Sequence, residues 1–98
     1  MINSKDAKTM ILKTSKQYIK DIKKIKFSLV QKTLLNIYVN ALKNKVNFPA
    51  SAKVKKLRGE WLGYSSFCLG YDLRVIFKRY EEVELVRIGT HNQLYKYK

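Results

Sequence analysis

The 98-residue chain lacks the residues that build disulfide frameworks, metal clusters and membrane spans. It has one cysteine, Cys68, and one histidine, His91, so it forms no internal disulfide and has too few ligands for a zinc cluster. The sequence contains no run of 18 apolar residues, the length that a membrane-spanning helix needs. Residues 1–6 lack the apolar stretch of a signal peptide. These absences predict a reduced cytoplasmic protein with no membrane role and no resident metal or cofactor.

Acidic residues are also scarce, because 7 Asp and Glu face 21 Lys and Arg for a net charge of +14. Residues 1–56 carry 14 Lys, no Arg and 2 Asp, a net +12, whereas residues 57–98 carry 7 basic and 5 acidic residues, a net +2. A surplus of this kind favours a polyanionic partner. Charge alone does not distinguish nucleic acid, the ribosome, an anionic membrane and an acidic protein. The length predicts one domain over residues 1–98.

The first half of the sequence predicts a strand followed by two helices. A short apolar stretch at 9–14 is typical of a strand, and Ser15 is placed to cap the helix after it. The second helix is predicted between Ser28, as its cap, and Asn44, with residues 27–28 as a tight joint. Its buried face is predicted from residues at helical spacing: Val30, Leu34, Ile37, Tyr38 and Ala41. Leu35 and Leu42 extend that face.

The second half predicts a sheet. Pro49 ends the helical pattern, so residues 47–56 are predicted as a loop, and β structure is expected from Gly59 onward. Strands are predicted at 67–69, 73–80 and 83–89, the last one ending at Thr90 and His91. The predicted fold is α+β, with an N-terminal strand and a two-helix hairpin packed on a small twisted, mainly antiparallel sheet of four to five strands.

Three motifs in the second half carry most of the chemistry-bearing residues. They are Leu-Arg-Gly-Glu-Trp-Leu-Gly-Tyr at 57–64, Asp-Leu-Arg-Val-Ile-Phe at 72–77 and Arg-Ile-Gly-Thr-His-Asn-Gln-Leu-Tyr at 87–95. In order and spacing they resemble the YafQ-like branch of the RelE superfamily of bacterial toxins. The strand–helix–helix–sheet order derived from hydrophobic patterning agrees with a RelE-like fold.

The resemblance implies a ribosome-dependent mRNA endoribonuclease, the toxin of a bacterial type II toxin–antitoxin system. Such toxins enter the ribosomal A site and cut mRNA without a metal, by attack of the ribose 2′-OH on the adjacent phosphate. The resemblance assigns His91 as general acid, Asp72 as base or as a support for His91, and Arg74 as the cation beside the phosphate. Tyr95 is the aromatic residue expected to stack on a base or bind near the phosphate. The implied partners are an acidic antitoxin, mRNA and the ribosomal A site, with a free toxin that is monomeric.

Four more basic residues are candidates for RNA binding: Lys55, Lys56, Arg58 and Arg87. Two positions depart from the branch pattern, which often has histidine where this chain has Lys55 and Cys68. Lysine binds phosphate but is a poor base at neutral pH, and an ordinary thiol contributes little acid–base chemistry. These departures leave the identity of the general base open.

Several of these residues also have a simpler structural interpretation. Asp72 is by default a turn residue, Cys68 a small buried side chain, and Trp61 and Tyr64 core aromatics. Arg74 and Arg87 are able to pair with Glu82 or Glu84. The main alternative function is a non-catalytic ribosome- or RNA-binding translation inhibitor, a degenerate toxin, which the changes at Lys55 and Cys68 favour. A DNA-binding or ribosomal structural protein is supported by charge alone.

Overall fold

The computed structural model describes residues 9–70 and 72–95, so the expectation for residues 1–6 lies outside the described residues. These described residues form five strands and three helices. In chain order they are β1 (Leu12–Thr14), α1 (Lys16–Lys23), α2 (Leu29–Lys43), β2 (Lys55–Lys56), β3 (Ser65–Cys68), β4 (Leu73–Arg79), β5 (Val83–Thr90) and α3 (His91–Tyr95). Short 3₁₀ turns at Ala50–Ala52 and Gly59–Trp61 flank β2.

The five strands form one sheet in the order β1-β5-β4-β3-β2. Strand β1 runs parallel to β5, and every other pair is antiparallel. The predicted α+β architecture with a mainly antiparallel sheet of up to five strands is therefore confirmed. The two-residue strand β2 lies at the edge of the sheet, and both of its residues are exposed to solvent.

The predicted helix ends are confirmed by their caps. The Ser15 hydroxyl accepts a hydrogen bond from the Tyr18 N–H at 2.9 Å, which satisfies one of the free donors at the start of α1. Ser28 and Gln31 form a capping box at the start of α2, each side chain accepting from the other residue's N–H at 3.0 Å. Asn44 is the C-cap of α2, as the sequence predicts.

The core lies between the two long helices and one face of the sheet. Tyr18 of α1 and Tyr38 of α2 belong to the same buried cluster as Phe67 and Val75 of the sheet. Tyr38 and Phe67 meet edge to face with ring centroids 5.4 Å apart. Aromatic contacts of this geometry add to the stabilisation that burial provides.

The predicted inner face of α2 is wrong in part. Tyr38 and Ala41 are buried, but Val30 is 66% exposed and Ile37 is 49% exposed. Leu42 is fully buried and Leu35 packs partly buried against the same cluster, as the predicted extension of this face requires. Periodicity predicts an apolar stripe, but it does not show which edge of a wide stripe the sheet covers.

Four further expectations are corrected. The joint between the helices spans residues 24–28 rather than 27–28, because α1 already ends at Lys23. The expected loop at 47–56 contains β2, whose Lys55 pairs with Ser66. The stretch from Gly59 to Tyr64 forms a 3₁₀ turn before β3 begins at Ser65, rather than continuous β structure. His91 begins a short helix instead of ending a strand.

The ladder register separates the residues of the two sheet faces. Phe67 pairs with Val75, Val75 pairs with Ile88, and all three belong to the core. Paired residues share a face and successive residues alternate, so the neighbouring pair Cys68–Arg74 points to the opposite face. Arg74 also pairs with Gly89 of β5. This second face carries the candidate site. In the part of the chain that the structure describes, no helix is long and apolar enough to cross a membrane.

Candidate active site

A small cavity on the second face of the sheet, here called the His91 pocket, brings together most of the predicted site residues. Its volume is about 240 Å³, and its lining residues are Lys55, Leu57, Arg58, Arg74, His91 and Tyr95. Three of the four predicted catalytic residues and two of the four predicted RNA-binding residues therefore meet in one place. The residues come from four separate parts of the chain: β2, the segment after it, β4 and α3.

His91 is fixed at the first turn of α3 by a reciprocal cap. The Thr90 N–H donates to Gln93 Oε1 at 2.9 Å, and the Gln93 N–H donates to Thr90 Oγ1 at 3.2 Å. This arrangement is a capping box, which satisfies two of the free donors at a helix start. The imidazole is exposed, and its ring centroid lies 4.8 Å from that of Tyr95, one helical turn later. The cap therefore sets where the imidazole and the phenol point.

Asp72 lies at the rim of the His91 pocket and contacts two of its residues. Its Oδ1 accepts a hydrogen bond from the His91 backbone N–H at 3.3 Å and lies 4.0 Å from Arg74 Nε. The carboxylate thus meets the backbone of His91 and tethers the β3–β4 turn to the start of α3. The hydrogen bond from the His91 N–H supports the end of α3 that carries the imidazole.

Arg74 presents a donor that forms an ion pair with Asp72 but makes no hydrogen bond inside the described part of the chain. Its Nε atom is buried, yet no hydrogen bond satisfies it there. A buried donor left in this state costs about 1–3 kcal/mol. The planar guanidinium suits a phosphate, which accepts two parallel hydrogen bonds. An arriving phosphate would therefore relieve a cost that the free protein carries.

The charge of the His91 pocket is strongly one-sided. Lys55, Arg58 and Arg74 line it, and among residues 9–70 and 72–95 no acidic side chain does. Three cations in a partly enclosed cavity raise the local potential for an anion more than the same charges spread over a surface. Lys55 thus places its cation in the site even though it stands where the family pattern often has histidine.

Lys56 and Arg87 do not reach the His91 pocket. Lys56 follows Lys55 in β2, so its side chain points to the other side of the strand and lines a different cavity. Arg87 donates to Asp21 of α1 through Nε at 2.8 Å and through Nη2 at 3.2 Å. The pairing of Arg74 or Arg87 with Glu82 or Glu84 is wrong, because their carboxylate partners are Asp72 and Asp21.

Asp21 receives two more hydrogen bonds besides those from Arg87. The Gln17 side chain donates to it at 3.0 Å, and so does the Ile88 backbone N–H at 3.0 Å. Burial by itself would raise the pKa of Asp21, but the bonds from Arg87, Gln17 and Ile88 outweigh that effect and hold the pKa below its usual value. Asp21 therefore stays ionised and links α1 to β5 at Ile88, which lies three residues before His91.

Three plainer interpretations are resolved by burial. Cys68 is buried, as expected of a small apolar side chain. Trp61 and Tyr64 are only partly buried and lie outside the core cluster, so the prediction that they are core residues is wrong. They pack on each other instead, with ring centroids 5.3 Å apart at 85°.

Sequence reasoning missed Asp21, Thr90 and Gln93 as supports of the site. The pattern Thr-His-Asn-Gln at 90–93 carries a signal, because Thr followed three residues later by Gln is a capping box. Asp21 carries no local signal, since its partner Arg87 lies 66 residues away in sequence.

Comparison with known proteins places the chain. A family sequence model described as the bacterial toxin of a type II toxin–antitoxin system, YafQ, matches residues 10–96. The chain belongs to the YafQ toxin family. It is therefore a type II toxin of the RelE superfamily by descent. No curated protein sequence matches the chain significantly.

Solved structures support the same placement. The E. coli DinJ–YafQ toxin–antitoxin complex contains a chain with 29% identity and a TM-score of 0.70, covering 90% of this chain and 99% of its own. A metal-bound toxin from Helicobacter pylori has 27% identity and a TM-score of 0.77, covering 88% and 99%. YoeB from Staphylococcus aureus shares the fold at 15% identity and a TM-score of 0.69, covering 85% and 98%.

The Helicobacter pylori structure is of a metal-bound toxin. Within residues 9–70 and 72–95, no three His, Cys, Asp or Glu side chains lie close enough together to hold a metal ion. The His91 pocket offers one imidazole among lysine and arginine side chains, which repel a cation. Its chemistry suits an anion.

Proposed function

We propose that this toxin is a ribosome-dependent mRNA endoribonuclease. The observation that carries the proposal is the meeting of His91, Tyr95 and three cations in one small pocket. An acid and a set of phosphate-binding cations are the parts that ribose-assisted RNA cleavage needs. Membership of the YafQ toxin family supports the same reaction class.

The proposed reaction is an internal phosphoryl transfer. The 2′-oxygen forms a bond to the adjacent phosphorus while the bond to the 5′-oxygen of the next nucleotide breaks, which leaves a 2′,3′-cyclic phosphate and a 5′-hydroxyl. His91 in its protonated form gives a proton to the departing 5′-oxygen. Arg74, with Lys55 beside it, stabilises the charge on the phosphate oxygens. Asp72 keeps His91 in place through its backbone and offers its carboxylate to the 2′-OH proton.

A non-catalytic translation inhibitor is the second candidate. The observation that favours it is the thin acid–base set, in which Lys55 lines the pocket and Cys68 is buried where the family pattern often has histidine. Such a protein would occupy the ribosome and stop translation without cutting mRNA.

Induced expression in bacteria, combined with toe-printing, separates the two candidates. The nuclease proposal expects wild-type protein to arrest growth and to yield cut mRNA, whereas His91→Ala and Asp72→Ala do neither. Equal toxicity of both variants, with stalled but intact mRNA, would show that the second candidate is correct.

Lys55 provides a test of the pocket with a matched control. Lys55 lines the His91 pocket, while Lys16 is an exposed lysine at the start of α1. Replacing either with alanine removes one charge, so we expect Lys55→Ala to lower the cleavage rate about tenfold or more and Lys16→Ala to change it much less. Initial rates of mRNA cleavage in a translation extract measure the difference, and equal effects would remove Lys55 from the site.

The proposed protein partner is an acidic antitoxin. The structural relatives include E. coli DinJ–YafQ complexes, and the +14 charge of this chain favours a negatively charged partner. The exposed apolar side chains of Leu29, Val30 and Ile37 on α2 provide surface that such a protein would cover. A small acidic protein encoded next to this chain should co-purify with it and abolish its toxicity. Its absence from the purified material would contradict the assignment. We place both proteins in the bacterial cytoplasm, where mRNA is translated.

A further inference from the structure

A second cavity lies against the edge strand β2, on the side that faces away from the His91 pocket. We call it the Tyr64 pocket; its volume is about 510 Å³. Its lining includes Lys56, Leu57, Tyr64, Lys78 and Arg79, and no acidic side chain of the described residues lines the cavity. The proposed cleavage reaction uses none of its cations.

The Tyr64 pocket combines positive charge with the partly exposed Tyr64 ring, and Trp61, which is outside the lining of the cavity, contacts that ring. Trp61 packs edge to face on Tyr64, with centroids 5.3 Å apart, and both rings are only partly buried. The Lys78 ammonium lies 5.5 Å from the centre of the Tyr64 ring. Arg79 Nη1 lies 3.5 Å from the Leu42 carbonyl oxygen, which holds the guanidinium near the cavity. Rings for stacking beside cations for phosphate are what single-stranded nucleic acid requires.

The two pockets are adjacent across the strand. Lys55 lines the His91 pocket and Lys56 lines the Tyr64 pocket, because neighbouring residues of a strand point to opposite sides. Leu57 lines both cavities. Strand β2 has no neighbour on its outer side within the described sheet, so a polynucleotide passing around this edge meets no other strand.

We propose that the Tyr64 pocket binds one nucleotide of the single-stranded RNA that also enters the His91 pocket. The base packs against the Tyr64 ring, and the phosphate is bound by Lys56 and Lys78, the latter exchanging its contact with the Tyr64 ring for the phosphate. Arg79 adds a third cation at the wall of the cavity. The inference rests on the proposed RNA substrate but does not depend on cleavage.

The chain carries its own reporter for this contact, because Trp61 is the only tryptophan. The experiment titrates full-length His91→Ala protein, chosen so that the RNA stays intact, with a single-stranded RNA of ten nucleotides. Trp61 fluorescence and the anisotropy of a labelled copy of the RNA are recorded together. With wild-type residues at the Tyr64 pocket, saturable quenching of Trp61 is expected as a base packs against Tyr64, whose ring Trp61 contacts.

Single substitutions then separate the two pockets. Lys56→Ala and Lys78→Ala should each reduce the quenching at saturation and lower the log–log salt slope of binding by about 0.7, the value for one phosphate contact on a single strand. Tyr64→Ala should weaken binding about fivefold or more through lost stacking. Lys55→Ala should weaken binding but keep the quenching at saturation. Lys32→Ala, which removes an exposed charge on α2, is the matched control.

Two results would overturn the inference. One is RNA binding by anisotropy with no change in Trp61 fluorescence. The other is that Lys56→Ala and Lys78→Ala bind RNA and show Trp61 quenching to the same extent as Lys32→Ala. Melting temperatures should show that all three proteins are folded. If wild-type protein fails to cleave mRNA in an extract but the quenching depends on Lys56 and Lys78, the proposed function is wrong and this site stands.

Discussion

Asp21 shows how much one side chain contributes to the end of β5. Its carboxylate accepts four hydrogen bonds, two from Arg87, one from Gln17 and one from the Ile88 backbone. Ile88 lies on the strand that leads into His91. A carboxylate bound in this way joins helix α1, which carries exposed lysines, to the segment that carries the proposed general acid.

Asp21→Asn removes the charge while keeping the size of the side chain. We expect the free energy of unfolding at pH 7 to fall by about 2–3 kcal/mol, because the guanidinium of Arg87 is left without its counter-charge. Urea denaturation followed by circular dichroism measures the loss. Glu84→Gln, a change of the same kind at a partly buried carboxylate on β5, is the control and should cost much less.

The stabilisation by Asp21 should also depend on pH in a definite direction. The pKa of Asp21 is lower in the folded protein than the usual value near 3.8. Its stabilisation is therefore complete above pH 4 and is lost as the pH falls through the lowered folded pKa. The gap in stability between wild-type protein and Asp21→Asn should shrink below pH 4. A gap that stays constant down to pH 2 would contradict the assignment.

The sequence predicted the reactive residues better than it predicted their supports. His91, Arg74 and Tyr95 could be named because a family motif marks them, and the structure places them in one pocket. The roles assigned to them stay predictions. Asp21 could not be named, because its effect depends on a contact with Arg87 that only the packed fold creates. Local pattern carries no information about such a pair.

At the scale of elements, α3 is short and depends on its cap and on the glycine before it. A Cβ added at Gly89 would lie 2.8 Å from Gln93 Oε1, which is the atom that accepts the Thr90 N–H, and 3.4 Å from Leu94 Cδ2. Glycine at this position thus leaves room for the Gln93 side chain in the cap, and it is not needed for an unusual backbone angle. Any side chain at this position pushes on the cap that orients His91.

Gly89→Ala should therefore displace Gln93, weaken the cap and lower the free energy of unfolding by about 1 kcal/mol. The cleavage rate should fall by more than this loss of stability alone explains. A double-mutant cycle tests the cause. Gly89→Ala should cost distinctly less stability when Gln93→Ala is already present, because the closest contact and the cap are then gone. Equal costs in both backgrounds, measured by thermal unfolding, would show that the cap is not what the added methyl disturbs.

Elements with strong local signals were predicted well, and those without them were not. Ser15 and Ser28 mark helix starts, and both cap as expected. Strand β2 was missed because two lysines have no strand pattern, and they pair with β3 only because the chain returns there. The exposed side of α2 was predicted as core because Val30 and Ile37 match the helical period. An apolar side chain on the surface of a protein with a partner gives the same pattern as one in a core.

At the scale of the whole molecule, the charge is unevenly divided between docking and chemistry. Most of the +14 lies in residues 1–56, and the α1 lysines Lys20 and Lys23 are exposed. Phosphate contacts of this kind position a protein on nucleic acid without reading its sequence. We expect α1 to contact ribosomal RNA while the His91 pocket meets the message.

Salt tests the docking role. If Lys20 and Lys23 each contact a phosphate, the log–log salt slope of ribosome binding should fall by about 0.7–0.9 for each alanine substitution. Lys13→Ala is the matched control, because its ammonium lies 3.1 Å from a Glu82 carboxylate oxygen and is already neutralised. Sedimentation with purified ribosomes over a range of salt concentrations provides the slopes. Slopes that do not change would show that the α1 lysines serve only solubility.

The central claim, cleavage of mRNA by the His91 pocket, is tested most directly by mapping the ends of a message translated in a cell-free extract. The account predicts that wild-type protein yields new 5′-hydroxyl ends and matching 2′,3′-cyclic phosphates only while ribosomes translate, and that His91→Ala, folded and still bound to ribosomes, yields none. Intact mRNA with wild-type protein, or the same ends with His91→Ala, would contradict it.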